Sequence, residues 1–314
     1  IQWDAFDTLI LGHLDEMSNL INKALLRENL IQQAIEHDKQ VFSFDDVSGT
    51  FTQDAVYCPV VSYEDLPPNR FGKLYRIDKP VIGVYGTSSR QGKFTLQLLL
   101  RQKLRERGYT IGQIGTEPSA CLYGMDYAYP MGYNNSVYIH GVDAIRYLNH
   151  LINRLCEKQC DIIITGSQSG TIPYDTGNLI QYNLRQYEFL MGTQPDAVFL
   201  CVNPFDDPIY IARTIKFIES SAGCTVIALV VFPMDIKGGW SGIYGQKTPL
   251  TAENYHALKA DLHKRFHVPV YKLGDASDVE NLVNTLIGFL GEEDAHETDC
   301  CNNIENDCGF FHFP

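Results

Sequence analysis

Val81-Ile-Gly-Val-Tyr-Gly-Thr-Ser-Ser-Arg-Gln-Gly-Lys-Phe-Thr95 is the stretch on which the reading of this chain turns. Val81 to Tyr85 is a short β-type run after Pro80. A glycine loop runs from Gly86 to Gly92. Phe94-Thr-Leu-Gln-Leu-Leu-Leu-Arg-Gln-Lys-Leu-Arg105 is then helix-forming, with apolar residues on most of one side. Strand, glycine loop, Gly-Lys and helix, in that order, form the layout of a Walker A phosphate cradle. Small residues let successive backbone N–H groups point inward at phosphate oxygens. Lys93 adds a mobile positive charge, and the helix from Gly92 onward offers its positive N-terminal end to the same anion. The expected phosphate contacts are Gly86, Thr87, Ser88, Ser89, Arg90, Gln91, Gly92, Lys93, Phe94 and Thr95.

Two details depart from the usual motif. Five residues rather than four separate Gly86 from Gly92, and Phe94 occupies the place after the lysine where a hydroxyl normally ligates magnesium. The hydroxyl comes one residue later, on Thr95. Either Thr95 substitutes as the metal ligand or the metal is held differently.

Around the cradle the pattern alternates. Strands are expected at 109–114, 161–165, 196–202, 225–232 and 268–271, with helices at 142–157, 179–191, 208–220, 252–266 and 279–290. Such alternation predicts an α/β fold with a doubly wound, mostly parallel sheet over residues 81–290, in which ligands sit beyond the carboxyl ends of the strands. Upstream, Asp7 to Gly12, a long helical pattern from Asp15 to His37, and Gln40 to Phe44 read as a small, incomplete Rossmann-like βαβ domain within residues 1–62. Residues 63–80, with Pro67-Pro68, read as a linker. A Gly/Tyr/Pro-rich loop runs to about Ile139, and a polar one spans Lys237 to Lys247. The segment 291–314 is acidic and holds Cys300, Cys301 and Cys308 before Phe310-Phe-His-Phe-Pro314. It reads as a disordered tail, or as an anchor that docks its phenylalanines.

Composition narrows the function. The chain has 314 residues, 45% of them hydrophobic and 20% charged, enough for a sizeable core in one large or two modest domains. A net charge of −13 argues against nucleic acid or an anionic membrane as the main partner. No apolar run is long enough to span a bilayer and no signal peptide is visible, so a cytoplasmic protein is expected. Nine cysteines, scattered through core-like segments, suit free thiols in a reducing compartment. Ile1 in first place implies that an upstream piece is missing or has been processed off.

The cradle segment resembles that of the dethiobiotin-synthetase-like group of P-loop proteins, whose loop begins Gly-Thr and has the same longer spacing. Within that group, the order of later motifs is similar to a family that includes D-amino-acid (D-glutamate) N-acetyltransferases. Gly166-Ser-Gln-Ser-Gly170 looks like its Glu-Gly-Gln-Gly-Ser-type loop, and Pro195 to Cys201 looks like its Pro-Asp-Ala strand. A looser kinship links the chain to accessory proteins of bacterial peptide maturation. The resemblance implies binding of ATP or acetyl-CoA and acyl or phosphoryl transfer to an amino-acid or peptide substrate. In one respect the chain departs from that pattern: the acidic residue heading the family's Gln loop falls on Gly166 or Thr165 here. Loss of that acid, with Phe94, casts doubt on ordinary Mg2+-dependent ATP hydrolysis.

Catalytic candidates follow from position at strand ends. Glu117 stands after the strand that ends at Ile114, as an amine contact or a turn carboxylate. Gln168 lies in the Gln loop, with Ser169 beside it. Asp175 is the next carboxylate, a general base or a helix-capping residue. Tyr123, Tyr127, Tyr129 and Tyr133 either wall a substrate pocket or pack their long loop. Asn203 reads as a turn residue, and His13 and His140 as structural. An incomplete first domain makes a homodimer an expectation. The competing function is a non-catalytic nucleotide-binding scaffold or peptide-binding accessory protein.

Overall fold

The computed structural model describes every residue except 15, 16, 18–20, 52, 53, 238–245 and 305–314. The chain opens with β1 (Thr8–Leu11), α1 (Lys23–Glu36), β2 (Gln40–Ser43) and β3 (Val56–Tyr57), which form a parallel sheet in the order β1-β2-β3. Leu11, Ile31, Ala34, Val41, Val47 and Val56 make its core. The expected βαβ unit is therefore present, and β3 adds a strand too short for its alternation to show in the sequence. Helix α1 starts at Lys23, later than Asp15, because the Asn22 side chain accepts a hydrogen bond from the Leu25 N–H at 3.1 Å and sets the first turn there.

The second unit runs β4 (Val81–Gly86), α2 (Lys93–Glu106), β5 (Ile111–Gly115), β6 (Tyr127–Ala128), α3 (Val142–Glu157), β7 (Ile162–Gly166), α4 (Leu184–Thr193) and β8 (Ala197–Val202). It continues with α5 (Pro208–Ala222), β9 (Thr225–Val231), β10 (Met234–Lys237), β11 (Gln246–Pro249), α6 (Ala252–Phe266), β12 (Val270–Lys272) and α7 (Ala276–Ile304). Seven strands form one sheet in the order β12-β9-β8-β4-β7-β5-β6, every neighbouring pair parallel. All six residues of β4 are buried. Val81 and Tyr85 face the core under α3, α4, α5 and α6, while Ile82 and Val84 face the core under α2 and α7. A strand apolar on both sides belongs in the middle of a sheet covered on both faces, and that placement puts the glycine loop at the centre of the carboxyl edge.

Helices α3 and α6 span the expected residues end to end. Helix α3 buries Ala144, Leu148, Leu151, Ile152 and Leu155 along one stripe. Four expectations change. The helix placed at 179–191 begins at Leu184, because Asn178 caps only a short turn, its side chain accepting from the Ile180 N–H at 3.1 Å. The long loop after β5 contains β6. The polar loop at 237–247 is flanked by an antiparallel pair, β10 and β11, its residues 238–245 being outside those described. Helix α7 continues past Leu290 to Ile304, so the acidic stretch from Glu292 is helical to that point rather than disordered; Glu, Ala and Thr follow Gly291 without a helix breaker. The side chains of Cys300, Cys301 and Cys308 and the segment Phe310–Pro314 lie outside the described residues.

Residues 63–80 are fixed against α3: Asn149 accepts from the Tyr75 N–H at 2.7 Å and donates to the Tyr75 carbonyl at 3.2 Å. Among the described residues, no helix is long and apolar enough to cross a membrane.

Candidate functional site: the phosphate cradle

The loop from Thr87 to Gly92 leaves β4 and closes onto α2. Gly92 takes φ +75°, and a Cβ there would lie 2.2 Å from Leu273 Cδ2, so only glycine fits. Lys93 opens α2, with its side chain folded inward. Its Nζ donates to the Ser88 carbonyl at 2.7 Å and is almost fully enclosed. Burial pulls the ammonium down to about 8, while the charges of Cys201 and Glu117 oppose that shift. Gln91, also buried, reaches back across the loop. Its Oε1 accepts from the Ser88 N–H at 3.0 Å and its Nε2 donates to Thr87 Oγ1 at 2.6 Å. The Gln91 amide thus occupies a backbone donor of the kind a phosphate oxygen would take. Ser89 and Arg90 are exposed, Arg90 at φ +60°.

Phe94 packs edge-on against Tyr123 at 5.2 Å, which ties the start of α2 to the loop after β5. Thr95 is exposed, and two residues on from Lys93 it has turned about 200° around the helix, away from the buried stripe Lys93, Leu96, Gln97, Leu100 and Leu104. The structure therefore brings Gly86 through Lys93 together as one cradle and sets Thr95 apart from it.

The Gln loop lies directly against this cradle. Ser167 N–H donates to the Val84 carbonyl at 2.9 Å. Thr171 donates to the Gly86 carbonyl twice, from its N–H and its hydroxyl, each at 3.0 Å. A Cβ on Gly170 would lie 2.5 Å from the Thr87 carbonyl oxygen. The two positions where the resemblance puts an acid at the head of this loop are otherwise engaged. A Cβ on Gly166 would lie 1.9 Å from the Gln97 amide, and Thr165 turns its hydroxyl to the Ile82 carbonyl at 3.4 Å.

Gln168 bridges to the neighbouring strand end, its Nε2 donating to the Thr116 carbonyl at 2.9 Å and to Thr116 Oγ1 at 3.1 Å. The buried Gln186 amide faces the Gln168 and Ser169 N–H groups. With its oxygen turned to them it accepts both at 3.2 Å. Asn183 donates to the Ser169 hydroxyl. Glu117 is half-buried after β5 and acts on Lys93 through its charge. Asp175 is exposed and closes its own turn, its Oδ1 accepting from the Gly177 N–H at 2.8 Å. It stands as a turn carboxylate, apart from the hydrogen-bonded contacts of the cradle. The tyrosines disperse: Tyr129 is fully buried against Phe189 and Tyr147, Tyr127 stacks under Lys158 and Arg154, and Tyr123 and Tyr133 are exposed.

Two residues of the site escape a sequence reading. Asp206, in the loop after β8, accepts from the Thr87 hydroxyl, from the Asn203 N–H at 2.7 Å, from Asn203 Nδ2 at 3.1 Å and from Gln91 Nε2 at 3.5 Å. Asn203 Nδ2 also donates to Ser88 Oγ at 2.9 Å, so this residue, read as a turn asparagine, touches the cradle. Burial pushes the Asp206 carboxyl upward. The hydroxyl of Tyr210, on α5, lies 2.8 Å from the Thr87 carbonyl and 2.7 Å from the Ile172 carbonyl, and its single proton serves one or the other, which ties it to both loops. The only sequence signal for Asp206 is its place after a buried strand, a place it shares with every βα loop.

Among solved structures, a DUF1611 family protein from Anabaena variabilis shares this fold at a TM-score of 0.62 and 13% identity, over 90% of this chain and 80% of that one. A nucleotide-binding protein in complex with ADP from Archaeoglobus fulgidus matches at a TM-score of 0.37 and 13% identity, over 65% of this chain and 84% of its own. Chloroplast FtsY from Physcomitrella patens matches at 0.40 and 14%, over 71% of this chain and 70% of its own. No curated protein matches the chain. The parallel seven-stranded sheet, the central glycine loop and the lysine folded into it all fall within residues 70–283, which match the family model described as Domain of unknown function (DUF1611_C) P-loop domain, and the chain belongs to that family.

Proposed function

We propose that this P-loop protein is a transferase that holds the phosphates of ATP or of acetyl-CoA on Gly86 to Lys93 and passes a phosphoryl or acyl group to an amino-acid or peptide substrate. The observation that carries this reading is the cradle itself. A glycine loop, a helix N-terminus and a buried lysine meet at the carboxyl end of the central strand, and an anion is what such an arrangement binds. In acyl transfer the substrate amine attacks the thioester carbonyl, coenzyme thiolate leaves, and a base takes the amine proton. Glu117, a half-buried carboxylate within electrostatic reach of Lys93, suits that base. Gln168 positions the strand-end loops on which Glu117 stands through its bonds to Thr116.

The test is calorimetric titration of the chain with ATP and with acetyl-CoA, each with and without magnesium. Metal-independent binding of acetyl-CoA supports acyl transfer, and magnesium-dependent binding of ATP supports phosphoryl transfer. Binding of neither, or undiminished binding by Lys93→Ala, overturns the reading. One observation favours the second reading, a nucleotide-binding scaffold. Leu179, Ile180, Leu184 and Ile209 are between 70% and 94% exposed, apolar side chains open to a protein or peptide partner. Tight nucleotide binding with no transfer to any amino-acid acceptor would favour it.

A further inference from the structure

A magnesium ion that accompanies nucleotide phosphates needs hard oxygen donors, commonly one or two carboxylates alongside the phosphates and water. The places where the P-loop pattern puts those donors are closed in this chain. Phe94 replaces the hydroxyl after the lysine, Thr95 is exposed, Thr165 bonds the β4 backbone, and Gly166 carries no side chain, the Gln97 amide filling the space beside it. Among the described residues, no group of three or more His, Cys, Asp or Glu side chains forms a metal cage.

On the other flank of β4, however, one carboxylate reaches the cradle. Asp206 bonds the hydroxyl of Thr87, and its neighbour Asn203 bonds the hydroxyl of Ser88. This partly buried carboxylate takes hydrogen bonds from Thr87, Asn203 and Gln91, all neutral. A partly buried carboxylate whose hydrogen bonds come from neutral groups holds its charge against a desolvation cost, and a cation offsets that cost. Asp206 and Thr87 together present oxygen ligands at the first residue of the loop, where a diphosphate would lie alongside.

We infer that Asp206, with the Thr87 hydroxyl beside it, ligates a divalent cation that enters with the diphosphate of a bound nucleotide. The assignment rests on the cradle reading above, and it moves the metal from the β7 flank of the P-loop strand to the β8 flank. Gln91, which bonds both Thr87 and Asp206, must swing out as phosphate enters and so frees both ligands together.

The experiment uses the full chain, with ADP and Mn2+ as probes. Calorimetry with ADP in EDTA reads the cradle alone; electron paramagnetic resonance of free Mn2+, with and without ADP, reads the metal. The parent is expected to bind Mn2+ about tenfold or more tightly when ADP is present. Asp206→Asn, which keeps an acceptor for Thr87 and Asn203, is expected to lose that gain when Mn2+ binding is read at saturating ADP, so that a change in ADP affinity itself does not enter. Asp206→Glu should retain part of it, and Thr95→Ala all of it. Unchanged Mn2+ binding by Asp206→Asn overturns the assignment, as does loss of binding in Thr95→Ala. If the parent binds ADP but Mn2+ adds nothing, the metal site alone fails. If ADP does not bind in EDTA, the cradle reading fails and the metal site with it.

Discussion

Lys93 shows what a single side chain contributes and what it costs. An ammonium enclosed by the loop that it serves loses hydration, which brings its pKa from 10.5 to about 8. A phosphate beside it favours the charged form, so binding must draw in a proton wherever the free lysine has lost one. Affinity for ADP is expected to be flat below about pH 8 and to fall by up to about tenfold per pH unit above it. Titration in two buffers of different ionisation heat checks this, since proton uptake should appear above that pH and vanish well below it. The sign for stability is opposite. The unfolded chain binds this proton more tightly than the folded one, so through this group the empty protein gains stability as pH rises from about 8 towards 10.5.

At the scale of elements, the cradle is held by its neighbours more than by itself. The Gln loop after β7 and the first turns of α5 press on Thr87 from both sides of β4, through Gly170, Thr171, Tyr210 and Asp206. Gly170 leaves no margin for a side chain, because the atom that an added Cβ would meet is a backbone carbonyl that cannot rotate aside. Gly170→Ala is expected to destabilise the fold by about 1–3 kcal/mol. It should also weaken ADP binding, although the added methyl is aimed at the loop's backbone. Thermal unfolding and calorimetry on the same preparation measure both, and an affinity equal to the parent would show that the loop tolerates displacement. The expected role of Gln168 also changes at this scale: its amide is spent joining β7 to β5, as a positioning residue.

Across the whole molecule, the small sheet is sewn to the P-loop unit by the loop that follows β6. Asp45, buried at the carboxyl end of β2, takes hydrogen bonds from His13 at 2.6 Å, Arg27 at 2.6 Å and Asn134 at 2.5 Å. Asp46 accepts from the Tyr138 hydroxyl at 2.7 Å, and Val61 pairs with Val137 as an isolated parallel bridge. Asp45→Ala leaves a cation and an imidazole without their acceptor. It is expected to cost about 1–3 kcal/mol, below the range for fully buried pairs because Arg27 keeps some solvent contact. Limited proteolysis should then cut within 133–138 sooner than in the parent; an unchanged digestion pattern would mean that the Val61 bridge alone holds the units together. We propose that the two sheets are separate domains, joined by 63–80 and by this latch.

Much of this was legible in the chain. The alternation of strand and helix, the double-sided burial of β4, the full extents of α3 and α6, and the Gly-Lys turn follow from local periodicity and from backbone chemistry that a few adjacent residues dictate. Leu179 and Ile180 misled because apolar residues at helical spacing say nothing of which face meets a core, and here they meet solvent. The two-residue strands β3 and β6 hold too few side chains to show a period. The sequence by itself determined that a P-loop opens a parallel α/β domain. Only the tertiary structure decided that Asp206 meets Thr87 across 119 residues and that Gln97 fills the space beside Gly166. The order in which strands pair, β8-β4-β7, sets which loops become neighbours, and that order is chosen by packing of the whole sheet rather than by any stretch within it.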